Sequence, residues 1–135
     1  MTRSKVISVV ATGFHKKNVD IMLETVRQTC KEKKITVASV IWVPGSLETP
    51  LALQRELAKK NIAGAVVLGI IEKGETKHGL VMGISVLSAI IKIQLQTKKP
   101  VGIGILGPEI SKNQIRPRLK PYAKDAVLAL HSMLE

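Results

Sequence analysis

Residues 63–71 read AGAVVLGII, and residues 72–78 continue EKGETKH. The first segment is an almost unbroken apolar run with β-branched residues at its centre, which predicts a strand buried on both faces. The second is a short charged loop carrying Gly74, and from Lys77 to Thr97 the apolar spacing becomes that of a long helix. A doubly buried strand that passes through a loop into a helix belongs to a parallel sheet covered on both sides.

The flanking sequence repeats the unit. Lys5 to Ala11 (KVISVVA) reads as a strand ending at Thr12-Gly13, followed by an amphipathic helix over Lys17–Lys34 with apolar Val19, Ile21, Met22, Val26 and Cys30. Ile35 to Val43 (ITVASVIWV) reads as a second strand stopped by Pro44-Gly45, and Leu47–Lys60 as its helix. Beyond the decisive stretch, Val101 to Leu106 (VGIGIL) is a fourth strand with its exit at Gly107-Pro108. Ser111 to the end is helical, broken near Pro117 and Pro121. The order β-α-β-α-β-α-β-α predicts an α/β fold: a three-layer α/β/α sandwich about a four-stranded parallel sheet, flavodoxin-like, forming one domain over residues 1–135.

Composition narrows the function. Among 135 residues, Cys30 is the sole cysteine, which excludes a disulfide framework and a cysteine-rich zinc site and fits the reducing cytoplasm. No spacing of metal ligands is present, so no metal is expected. The most apolar stretch, Leu80 to Ile91, is interrupted by Gly83, Ser85 and Ser88 and closed by Lys92, short of a membrane span. Met1 to Ala11, with Arg3 and Lys5 ahead of a short apolar run, has the outline of a secretory signal; Ser8 breaks the run, which reads better as the first strand.

The net charge of +11 suggests anionic partners, yet only Phe14, Trp42 and Tyr122 are aromatic, which leaves single-strand nucleic-acid binding almost nothing to stack on. Lys31, Lys33, Lys34, Lys59, Lys60, Lys98 and Lys99 fall at the ends of helices, where cations complement the helix dipole. Lys112, Arg116, Arg118, Lys120 and Lys124 follow the fourth strand and form the better anion-binding group. The third helix is apolar around most of its circumference, from Leu80 and Val81 to Ile91 and Ile93, so a second copy of the chain is expected to cover it.

In a parallel sheet, ligands bind beyond the carboxyl ends of the strands. The exits are Thr12 to His15, Pro44 to Glu48, Glu72 to His78, and Gly107-Pro108, and both candidate catalytic histidines, His15 and His78, lie on that edge. A glycine loop opening a helix suits a phosphate, with amides from Gly74 and Glu75 and the Thr76 hydroxyl as donors. His78, in the helix's first turn, is placed to move a proton. Ser46 reads as an N-cap or, with Glu48, as a partner for a polyhydroxyl ligand. No Walker loop, dinucleotide fingerprint or nucleophile elbow occurs.

Taken together, Phe14, PGSLETP at 44–50, GIIEKGETKH at 69–78, and Arg118 with Lys124 resemble the 6,7-dimethyl-8-ribityllumazine synthase family along essentially the whole chain. Gly107-Pro108 and the Tyr122–Lys124 stretch resemble its archaeal form. The resemblance implies a cofactor-free condensation of 5-amino-6-ribitylamino-uracil with 3,4-dihydroxy-2-butanone 4-phosphate in riboflavin biosynthesis. It implies that Phe14 covers the pyrimidine, Ser46 and Glu48 address the ring edge and ribityl chain, Gly74 and Thr76 hold phosphate, and His78 shuttles protons. Gly45, Leu47, Ile70, Ile71, Glu75 and Ile103 complete the implied substrate-binding set. Arg118, with Lys124 near it, would reach the phosphate from a neighbouring subunit of a pentamer or a capsid of pentamers. The chain departs from the family pattern at His15 (usually Asn), at Leu47 (commonly aromatic) and at Gly79-Leu80 (commonly acidic). Those departures admit an alternative: a flavin- or lumazine-binding shell protein that has lost the reaction.

Overall fold

The computed structural model describes residues 5–134; residues 1–4 of the signal-like start and Glu135, to which the final helix is expected to run, lie outside the described residues. Four strands, β1 (Lys5–Thr12), β2 (Ile35–Val43), β3 (Gly64–Glu72) and β4 (Val101–Ile110), form one all-parallel sheet in the order β2-β1-β3-β4. The helices are α1 (Lys16–Glu32), α2 (Thr49–Leu57), α3 (His78–Thr97), α4 (Lys112–Ile115) and α5 (Leu119–Met133). The expected three-layer α/β/α sandwich is therefore what the chain adopts.

Strand alternation builds two cores. Ile7, Val9 and Ala11 of β1 with Val66, Leu68 and Ile70 of β3 face α1 and α5, meeting Val19, Met22, Val26, Val127 and Leu130. Val10, Ala65, Val67 and Ile71 face the other way, onto Leu53 and Leu57 of α2 and Val86, Ile90 and Ile93 of α3. Successive residues of the central strands thus serve opposite layers, which is why these strands read as continuous apolar runs.

Boundaries differ from expectation in β4 and in the second helix. β4 continues past Leu106 through Gly107-Pro108 to Ile110, because the pairing with β3 shifts register between Ile70 and Glu72 and resumes at Glu72 opposite Ile110. Gly107 carries φ 95°, and an added Cβ would strike the Ile71 carbonyl, so only glycine lets the strand bend there. The second helix begins later than Leu47: Ser46–Glu48 form a 3-10 turn with Gly45 at its N-cap, and α2 starts at Thr49. Ser46 makes no side-chain capping bond; the Gly45 N–H donates to Glu48 Oε2 at 2.9 Å instead.

The helix-terminal lysines act partly across elements. α2 ends at Leu57, so Lys59 and Lys60 lie beyond it; Lys99 Nζ donates to the last carbonyl of α2, Leu57 O, at 2.7 Å and to Lys59 O in the turn that follows at 2.9 Å.

By length and composition α3 could span a membrane, with a window of mean hydropathy 1.6 that is 22% buried. Its Val86, Ile90 and Ile93 nevertheless belong to the core against the sheet, so insertion into a bilayer would dismantle that layer. Val81, Ile84, Ile91 and Leu95 remain exposed on the opposite side. With Ser88 they are spaced 3, 4, 3 and 4 residues apart, the seam along which helices pack on one another.

Candidate functional site

Three strand exits converge on one cleft of about 500 Å³ at the carboxyl edge of the sheet. The β1 and β2 exits are tied together by backbone: Gly13 N–H donates to Val43 O at 2.7 Å and Phe14 N–H to Pro44 O at 3.2 Å. This leaves the Phe14 side chain projecting at the mouth, 63% exposed. From the β2 exit come Pro44, Gly45, the buried Ser46 and Glu48, whose Oε2 is engaged by the Gly45 amide. Gly69 of β3 packs beneath this turn, where an added Cβ would lie 3.1 Å from Thr12 Cγ2 and 3.6 Å from Ser46 Oγ.

The β3 exit supplies Ile70, Ile71, Glu72, Gly74 and Thr76, and α3 supplies His78, Gly79 and Met82. The loop is pinned at its start by Lys73 N–H donating to Ile110 O at 2.7 Å, and Lys73 Nζ lies 3.6 Å from Glu109 Oε2. At its end Thr76 Oγ1 accepts the His78 N–H at 3.3 Å, so a hydroxyl meets one of the free amides of the α3 N-terminus. Nothing lies within 4 Å of a Cβ built on Gly74, so its backbone is open to an incoming group. An exposed imidazole, free amides and a helix's positive end therefore adjoin an apolar floor of Ile70, Ile71 and Met82. Such a cleft suits a flat heteroaromatic ring beside an anion.

The other expected residues are elsewhere on the chain. Leu47 and Glu75 are exposed and do not line the cleft. Arg118 ends a 3-10 turn between α4 and α5, exposed, with Nη1 donating to Gln114 O at 2.9 Å. Lys124 borders a separate groove between α1 and α5 with Lys120, Glu24 and Glu32, and Ile103 faces a hollow with Val101 and Tyr122. Among the described residues, no group of three or more His, Cys, Asp or Glu side chains could hold a metal ion.

Sequence reasoning passed over Glu72 as a site residue. A carboxylate closing an otherwise apolar strand was the available signal. His15 Nε2 lies 3.3 Å from Glu72 Oε1, and the His15 ring meets Phe14 edge-on, with centroids 4.6 Å apart at 76°.

Comparison with known proteins identifies the family. The family model described as 6,7-dimethyl-8-ribityllumazine synthase matches residues 4–135. A protein of that name from Staphylothermus marinus is 30% identical over 95% of this chain and 85% of its own. One from Metallosphaera sedula is 33% identical over 90% and 80%, and one from Picrophilus torridus 33% identical over 96% and 94%. Likeness of this extent, running through every strand exit that builds the cleft, means that the chain belongs to the 6,7-dimethyl-8-ribityllumazine synthase family.

Proposed function

We propose that the protein is a cytoplasmic transferase of riboflavin biosynthesis. It condenses 5-amino-6-ribitylamino-uracil with 3,4-dihydroxy-2-butanone 4-phosphate, giving 6,7-dimethyl-8-ribityllumazine, inorganic phosphate and two molecules of water. The observation that carries this reading is the convergence of Phe14, Ser46, Glu48, Gly74, Thr76 and His78 on one cleft. Family membership favours the reaction over the alternative of a binding shell without turnover.

The chemistry asks little of the protein beyond holding two reactants together, a service that lowers the barrier by converting a bimolecular step into an internal one. Phe14 covers the pyrimidine, Ser46 and Glu48 meet the ring edge and ribityl hydroxyls, and the Gly74–Thr76 loop binds phosphate at the α3 N-terminus. The pyrimidine 5-amino group attacks the ketone and water leaves to form an imine. Phosphate is then eliminated, and the ribitylamino nitrogen closes the ring on the new carbonyl with loss of a second water. His78 transfers protons between the attacking nitrogen and the leaving oxygens.

Arg118 is absent from its own chain's cleft, and the exposed seam on α3 needs a cover. Both are accounted for by a homo-oligomer, a pentamer or a multiple of pentamers, in which Arg118 completes the phosphate site of the adjacent subunit. The test is turnover. Purified protein with both substrates should form the lumazine chromophore faster than the spontaneous reaction, and a rate equal to that of buffer refutes the proposal. His78→Ala should lower kcat about 10- to 100-fold with phosphate affinity retained. Arg118→Ala should lose phosphate affinity. Unfolded together and reassembled, the two poorly active variants should exceed the activity of either alone, through boundaries pairing intact His78 with intact Arg118; a mixed assembly without gain refutes the shared site.

A further inference from the structure

We infer that His15 and Glu72 act as a positioning pair for the pyrimidine substrate: the pair fixes the Phe14 ring over the cleft and engages a carboxylate that would otherwise face the phosphorylated reactant. The inference rests on the condensation proposed above.

Glu72 ends the strand that forms the cleft floor, and it lines the same cleft as the Gly74–Thr76 loop. A carboxylate there opposes an anion bound a few residues away. The adjacent cation does not relieve it, since Lys73 Nζ is directed to Glu109. His15, just beyond the neighbouring strand β1, brings Nε2 to 3.3 Å from Glu72 Oε1, with both side chains largely shielded from solvent at 21% and 31% exposure.

The backbone at His15 is in the left-handed region, φ 61° and ψ 36°, where glycine or asparagine rests with less strain. An imidazole held in that conformation reaches across to β3, which asparagine is too short to do. The same ring stands edge-on to Phe14, whose side chain is otherwise mostly in solvent. One residue therefore limits the swing of the stacking ring and pairs with the carboxylate at the cleft floor. His15 and Glu72 are positioning residues, because they act through Phe14 and through the field at the phosphate loop.

The experiment uses the full chain and His15→Asn, Glu72→Ala and the double variant. The probe is 6,7-dimethyl-8-ribityllumazine, titrated at equilibrium and followed by its fluorescence, with the KM of each substrate measured alongside. Each single substitution should weaken lumazine binding about fivefold, the upper range for one partly exposed pair, and the double should be no weaker than either single. His15→Asn alone should raise the KM for the butanone phosphate about threefold by leaving the Glu72 carboxylate without its imidazole partner, and adding Glu72→Ala should reverse that rise. Thermal midpoints should stay at the wild-type value, because asparagine tolerates the left-handed backbone. Wild-type lumazine affinity in both single variants, multiplicative losses in the double, or affinity that falls only in step with thermal stability overturns the pair. Binding needs no turnover, so a wild-type protein that binds lumazine without catalysis refutes the proposed reaction and not the pair.

Discussion

Replacing Glu56 with glutamine should destabilise the protein by about 2 kcal/mol. Glu56, on α2, is buried at 6% exposure, yet it is fully partnered. Its Oε1 accepts hydrogen bonds from Ser8 of β1 at 2.8 Å and Ser39 of β2 at 3.2 Å, and its Oε2 accepts one from Lys59 Nζ at 2.8 Å. Glutamine keeps a carbonyl oxygen for the serines but makes both bonds neutral, at a loss of roughly 0.5–1 kcal/mol each. It also turns an amide donor on the Lys59 ammonium. Lys59 is more than half exposed, so solvent screening holds that part of the loss below about 1 kcal/mol. Glu56→Ala removes the acceptor altogether and leaves a void between β1, β2 and α2, for about 3 kcal/mol. Urea unfolding at one fixed protein concentration, followed by far-ultraviolet circular dichroism, reads these differences. The acid side gives a second measure. Burial pushes the Glu56 carboxyl up, but hydrogen bonds from Lys59 and Ser8, the Lys59 charge and the Ser39 bond together bring it below the ordinary carboxylate value. The unfolded chain therefore binds this proton first as pH falls, and the contribution to stability is present above the ordinary carboxylate pKa and lost through the lower folded value. Glu56→Gln should flatten the acid-side slope. A glutamine variant with the wild-type midpoint and the wild-type acid slope would refute the reasoning.

Three further outcomes are expected. Burial pushes the Cys30 thiol up to about 11, so native protein at mildly alkaline pH should resist iodoacetamide and react once unfolded in guanidinium; fast alkylation of the native state would contradict the burial. A Cβ at Gly102 would strike the Ala126 carbonyl and lie 3.2 Å from Leu130 Cβ, so Gly102→Ala should force α5 off β4 and cost more than about 2 kcal/mol in urea unfolding, where an unchanged midpoint would show that the helix yields freely. Leu95, 75% exposed on the α3 seam, should upon replacement by lysine lower the assembly mass in light scattering while the far-ultraviolet spectrum is kept; an unchanged mass would put the contact between copies elsewhere.

The order of elements was legible in the sequence because each strand and helix declares itself over its own few residues. AGAVVLGII needs cover on both faces wherever it is placed, and the glycines and prolines after Thr12, Val43 and Ile71 stop the chain locally. Once the sheet is parallel, those stops share one edge, so much of the cleft lining, Phe14, Ser46, Glu48, Gly74, Thr76 and His78, could be grouped without coordinates. Other features depend on pairings between distant segments, which no local pattern encodes. The extension of β4 to Ile110 follows from its register against β3, and Lys99 serves the last carbonyl of a helix some forty residues earlier. The sequence also grouped Ile103, Lys124 and Arg118 with the site by order and likeness, whereas their distance from the cleft in a single chain is set by how α5 and β4 pack. His15 and Glu72 stand 57 positions apart, and in the sequence His15 reads as a candidate catalytic histidine and Glu72 as the start of a loop, with nothing to join them. Only the close lateral packing of β1 against β3 brings their side chains within 3.3 Å, because a contact between chemically complementary groups is a property of tertiary geometry and not of either segment's composition.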